Sequence, residues 1–104
     1  MEIRFFHDDV EKFIRGLEKP TIAKVLRTID LLETFGHKLG MPHSKAIGGE
    51  LFELRVRGRQ EVRLIYTFHR STVVILHGFL KKSDKIPQNV LAVAITRKTT
   101  LDRT

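Results

Sequence analysis

Apolar positions recur along this chain with two different periods, and the change of period separates helices from strands. Residues 2–6 (EIRFF) read as a short strand ending at His7-Asp8-Asp9, where either aspartate can accept a backbone N–H as a helix N-cap. Val10, Phe13, Ile14 and Leu17 then fall at i, i+3, i+4 and i+7, one stripe of an amphipathic helix over residues 9–18. Pro20 suits a first helical position, and Ile22, Val25, Leu26, Ile29 and Phe35 continue a helical stripe that Gly36 stops. Residues 8–36 are therefore expected to form a helical hairpin. Residues 37–50 (HKLGMPHSKAIGGE), broken by glycines and a proline and without a sustained period, read as a long loop.

Beyond the loop the period shortens to two. Phe52, Leu54 and Val56 alternate with Glu53, Arg55 and Arg57, and Val62, Leu64, Tyr66 and Phe68 form the apolar side of a second strand over 61–68. Residues 73–80 (VVILHGFL) are apolar on both faces, the mark of a central strand. After the polar run 81–86, Pro87 opens a last helix that reaches Lys98. The order β-α-α-β-β-β-α, with short turns between the late strands, predicts a single α+β domain over 1–104: an N-terminal strand, a helical hairpin, a three-stranded antiparallel meander and a C-terminal helix. The helices are expected on one sheet face, with the other face partly open.

Charge changes the picture from scaffold to partner. Nineteen Lys and Arg stand against 12 Asp and Glu, a net charge of +7, which favours polyanions as ligands. The chain has no cysteine, and no run approaches the roughly 20 apolar residues needed to span a bilayer, so a soluble cytoplasmic protein without membrane association is expected. His7, His37, His43, His69 and His77 follow no ligand spacing, so neither a metal nor another cofactor is expected.

The distribution of charge is more specific than its sum. Matching apolar residues across the Gly58-Arg59-Gln60 turn sets Val56 opposite Val62 and Leu54 opposite Leu64, so Arg57 faces Glu61 while Arg55 faces Arg63. Like charges directly opposed destabilise a sheet by some tenths of a kcal/mol, unless both side chains splay into water or share an anion. Lys45, Lys81 and Lys82 add to the same region, and the span 45–85 holds nine Lys or Arg against four Asp or Glu. Preorganised cations of this kind suit RNA cleavage, because attack of a 2′-hydroxyl on the adjacent phosphate builds negative charge on phosphoryl oxygens. The plain alternative is a solvated basic face.

Three separated segments, K-A-I-G-G-E-L-F-E-L-R-V from Lys45, E-V-R-L-I-Y from Glu61 and I-L-H-G-F-L-K-K-S-D-K-I-P from Ile75, resemble the phage-derived, HigB-like toxins of the RelE/ParE superfamily in order and spacing. The resemblance is close over residues 45–95 and extends to the N-terminal hairpin in topology. It implies the toxin of a type II toxin–antitoxin pair, a ribosome-dependent messenger RNA endonuclease. The implied partners are the ribosome, its mRNA and a helix-turn-helix antitoxin, with operator DNA reached only through the antitoxin complex. Arg55, Arg63, Lys81, Lys82 and His77 are the candidate catalytic residues, with Lys45, Arg57 and Lys85 as RNA contacts. Many RelE-like nucleases carry a tyrosine or histidine near the C-terminus; here Tyr66 is patterned to the core and no histidine follows His77, leaving a lysine or His77 for proton transfer. The alternatives are a ParE-like DNA gyrase inhibitor and a non-catalytic basic RNA-binding module.

The last helix adds one expectation. Residues 90–95 (VLAVAI) are apolar without a break, so a helix there shows apolar surface on more than one side. Leu91, Ala94 and Ile95 make a core stripe, leaving Val90 and Val93 as a candidate antitoxin-binding patch.

Overall fold

The computed structural model describes residues 1–104 and contains nine elements, eight of which build the layers. Strand β1 (Glu2–Phe5) is followed by helices α1 (Asp8–Arg15) and α2 (Lys19–Phe35) and a single 3₁₀ turn at Gly36–Lys38. Strands β2 (Ser44–Gly48), β3 (Leu51–Val56), β4 (Val62–His69) and β5 (Thr72–Leu80) come next, and helix α3 (Gln88–Asp102) closes the chain. The strands form one sheet in the order β1-β5-β4-β3-β2, with β1 parallel to β5 and every other pair antiparallel. The α+β class and the antiparallel meander agree with the reading of the sequence. No helix is long and apolar enough to cross a membrane.

Alternation divides the sheet between two cores. Leu54, Val56, Val62, Leu64, Tyr66, Val73 and Ile75 pack with Val10, Ile14, Leu17, Val25, Ile29 and Leu32 of α1, α2 and their link. Leu51, Ile65, Val74, Leu76 and Phe79 pack on the opposite face with Val90 and Ala94 of α3. The expectation of helices on one face is therefore corrected: α3 covers part of the other. The apolar run of β5 is what permits this, since a strand apolar on both faces demands cover on both. Gly78 fits the same packing, because a Cβ there would stand 2.8 Å from side-chain atoms of Leu64 and Phe13.

Several boundaries move. His7, not an aspartate, caps α1, its Nδ1 accepting from the Asp9 N–H at 3.2 Å, while Asp8 and Asp9 lie in the first turn, where the helix dipole favours carboxylates. On α2 the buried stripe is Thr21, Val25, Thr28, Ile29 and Leu32, so Leu26 and Phe35 of the expected stripe face outward. The segment read as a loop holds an edge strand, β2, too short and too interrupted by its bulge between Ala46 and Gly48 for alternation to reveal it. Helix α3 runs one turn past Lys98.

The expected apolar patch on α3 is also revised. Val90 is 8% exposed and belongs to the core with Ala94, whereas Ile95, assigned to the core stripe, is 49% exposed. The unbroken apolar run left the angular position of the stripe undetermined, and contact with Leu76 and Phe79 of β5 sets it. Val93 is half-buried.

Candidate functional site

The β3–β4 register inferred from the sequence is the observed one, with Val56 opposite Val62, Leu54 opposite Leu64 and Arg55 opposite Arg63. The two arginines do not splay into water. They lie on the face that α3 partly covers, and Arg63 is only 1% exposed, which corrects the solvent-side placement. Glu53, two residues before Arg55 on the same face of β3, makes their apposition tolerable: its Oε1 lies 3.5 Å from Arg55 Nε and 3.8 Å from Arg63 Nε. Glu61 adds a second counter-charge 3.7 Å from Arg63 Nη2, and Arg63 Nη1 donates to the Val62 carbonyl at 2.9 Å. The expected Arg57–Glu61 pair does not form. Glu61 instead accepts from the Gly58 N–H at 2.9 Å, an interaction that, more than its neighbouring cations, lowers its pKa.

Burial pulls the Arg63 pKa below the ordinary arginine value, and Glu53 is the largest influence opposing it. An arginine so perturbed is still charged at neutral pH. Arg55 Nε and Arg63 Nη2 are buried at ion-pair distance from carboxylates yet make no hydrogen bond. A buried donor left unpaired costs about 1–3 kcal/mol, so this floor keeps its positive charge at the expense of stability. Such a trade is characteristic of functional sites.

The arginines floor a cleft of about 260 Å³. Lys45 of β2, whose backbone pairs with Glu53, stands on one side. Lys81, Ser83, Asp84, Lys85 and Ile86, from the connection between β5 and α3, form the other. Lys81 is fixed by its backbone N–H, which donates to the Glu61 carbonyl at 2.8 Å, and its Nζ lies 3.8 Å from Asp84. The lining thus contains five cations, Lys45, Arg55, Arg63, Lys81 and Lys85, against Glu53 and Asp84.

Three sequence candidates lie elsewhere. Lys82 is exposed and outside the lining, because it follows Lys81 beyond the end of β5. Arg57 lines a separate groove of about 550 Å³ between α2 and the end of β3, with Lys24, Arg27, Leu31, Pro42, His43 and Val56; Arg55 borders both spaces. His77 flanks a clamp between α1 and α3 in which Arg97 bonds the Asp9 carboxylate through both terminal nitrogens and donates to the Leu76 carbonyl at 2.8 Å. Burial, and then the Arg97 charge, lower the His77 pKa. A register shift in the β4–β5 pairing beside His77 displaces it from simple alternation. Sequence reasoning placed Glu53 on the correct face but gave it no role. The Asp9–Arg97 bond spans 88 residues and left no local signal.

The model of the family described as phage-derived protein Gp49-like (DUF891) matches residues 12–99. This chain belongs to that family. No curated protein matches it. The matched span of the Gp49-like chain contains every residue of the cleft, from Lys45 to Ile86, and leaves out β1 and the start of α1 with Asp9.

Proposed function

We propose that this Gp49-like protein is the toxin of a type II toxin–antitoxin pair and that it cuts messenger RNA on the ribosome. The observation that carries the reading is the Arg55–Arg63 apposition, held by Glu53 on the floor of a lysine-rimmed cleft. The reaction is transesterification. The 2′-oxygen attacks the adjacent phosphorus, the bond from phosphorus to the 5′-oxygen breaks, and a 2′,3′-cyclic phosphate and a free 5′-hydroxyl result. Arg55, Arg63 and Lys45 stabilise the charge that gathers on the phosphoryl oxygens, each such donor being worth roughly 3–4 kcal/mol. Glu53 takes the 2′-hydroxyl proton and Lys81, as its ammonium, gives one to the departing 5′-oxygen. His77 has no part in this scheme, since it does not line the cleft. The five cations supply the positive charge, so the proposal invokes no metal ion. A helix-turn-helix antitoxin is the partner this reading requires.

The test is cleavage of a defined messenger on translating ribosomes by the purified chain, beside an assay of gyrase supercoiling. Cleavage by the wild type, reduced roughly 10²–10³-fold in Arg55→Ala and Lys81→Ala, is expected. Intact messenger with inhibited supercoiling would replace this reading with the gyrase-directed one. RNA binding with neither activity would leave a non-catalytic RNA-binding module.

A further inference from the structure

We propose that the groove between α2 and the end of β3 is a second nucleotide subsite, which takes single-stranded RNA flanking the phosphate held in the cleft. This deepens the preceding proposal and rests on it. Arg55 supplies the continuity. Pairing along this edge runs from Ser44 opposite Leu54 on to the Arg55 N–H, which donates to the His43 carbonyl at 2.8 Å. Arg55 lines both spaces, so an RNA strand held at Arg55 reaches the groove as well as the cleft.

The two spaces differ as a phosphate site differs from a nucleotide site. At about 260 Å³, walled largely by charged side chains, the cleft has room and chemistry for a phosphodiester but little surface against which to bury a base. The groove, at about 550 Å³, falls within the range of roughly 300–1,000 Å³ typical of organic-ligand sites. Its lining includes Leu31, Pro42 and His43, residue types that suit the face of a base. Lys24, Arg27 and Arg57 supply charge for the backbone.

Like Lys45 and Lys85 of the cleft, the groove's Lys24, Arg27 and Arg57 have no carboxylate within ion-pair distance. Asp30 is the one acid in the groove lining and pairs with none of them. Unpaired cations beside an apolar wall, continuous with a cationic cleft, fit a polyanion that also carries flat apolar groups.

The experiment compares binding of a dinucleotide and an octanucleotide, both 2′-O-methylated so that the attacking hydroxyl is blocked, to the full chain and to a Lys24→Ala/Arg27→Ala variant. Both positions are exposed, and circular dichroism checks that the variant folds. The wild type is expected to bind the octanucleotide more tightly than the dinucleotide. The variant should lose about tenfold in octanucleotide affinity, with a log–log salt slope shallower by about 1.4, as two lost contacts to a single strand require. Wild-type octanucleotide affinity and slope in the variant overturn the groove. Octanucleotide binding that depends on the groove, without dinucleotide binding by the wild type, keeps the groove and removes the cleft as a phosphate site. If the wild type binds neither RNA, the groove reading falls, and cleavage on translating ribosomes decides separately whether the cleft acts on messenger.

Discussion

The arginine floor of the cleft and the groove are neighbouring cationic surfaces that share Arg55 and hold their charge in opposite ways, whereas Lys45 and Lys85 on the cleft rim are exposed and unpaired like the groove's cations. In the cleft, Arg63 is buried and Glu53 and Glu61 stand beside it, while Lys81 is fixed by its backbone and lies near Asp84. In the groove, Lys24, Arg27 and Arg57 are exposed and unpaired. Held cations lose little freedom when an anion arrives and stabilise charge where it develops, as a reacting phosphate requires. Free cations adapt to whatever backbone passes and contribute long-range, salt-sensitive attraction. Immobility has a stability cost, seen in the unpaired buried donors of Arg55 and Arg63, and an exposed cation incurs none.

The largest expected difference between the regions follows from that contrast. Arg63→Ala leaves Glu53 with Arg55 alone and Glu61 without its arginine, so unfolding in urea should reveal a loss of about 3 kcal/mol, as for other broken buried pairs. Arg27→Ala, on an exposed helix face, should stay within about 0.5 kcal/mol of the wild type. Equal stability of the two variants would show that the cleft is no more rigidly held than the groove. Arg63→Lys refines the comparison: it keeps the charge but loses the planar fork, and is expected to fall between the wild type and Arg63→Ala.

Much of the cleft was legible in the sequence, because both relevant signals are local. Alternation on β3 and β4 fixed which residues share a face, and the turn at Gly58–Gln60 fixed the register, so Arg55 was set opposite Arg63 correctly. Burial was not legible. Arg63 is enclosed by Glu53, Glu61, Phe79 and the connection 81–86 that leads to α3, and nothing near Arg63 announces that this later segment returns to its face. The unbroken apolar run 90–95 likewise admitted two stripes, and packing chose Val90 and Ala94 over Ile95. The groove escaped notice for another reason: Lys24 and Arg27 on α2 and Arg57 on β3 meet only through the packing of the helix on the sheet. Strand β2 was missed because its pairing partner, not its own pattern, makes it a strand.

A smaller effect separates the regions by pH. The Gly58 N–H and the charge of Arg63 hold the Glu61 carboxyl below the usual glutamate value. A group depressed in the folded state contributes stability that is complete above its unfolded pKa and is lost as pH falls through the folded one. Stability should therefore decline below about pH 4.5, in part through Glu61. Glu61→Gln should remove that part of the decline while lowering stability at neutral pH. An identical pH dependence in wild type and variant would mean that Glu61 does not secure the β3–β4 turn, and would weaken the account of a fixed cleft.

The smallest expected effect concerns Gly58, which belongs to the same turn but touches the groove. Its backbone has no need of glycine, since its φ is not in the left-handed region, and the only close neighbour of an added Cβ is the end of Lys24, with Nζ at 2.8 Å. A flexible, exposed ammonium can move aside. Gly58→Ala should therefore be neutral or stabilise by up to about 1 kcal/mol, because the alanine chain has fewer unfolded conformations to lose. Gly78→Ala is the informative control, as its methyl would meet Leu64 and Phe13 in the core, where overpacking costs about 1–3 kcal/mol. Displacing Lys24 should also change octanucleotide binding slightly and leave dinucleotide binding alone. A loss of more than about 1 kcal/mol in Gly58→Ala, comparable to overpacking a core, would mean that Lys24 is held rigidly against the turn. The groove would then share the fixed character of the cleft, and the distinction between held and free cations would fail at that residue.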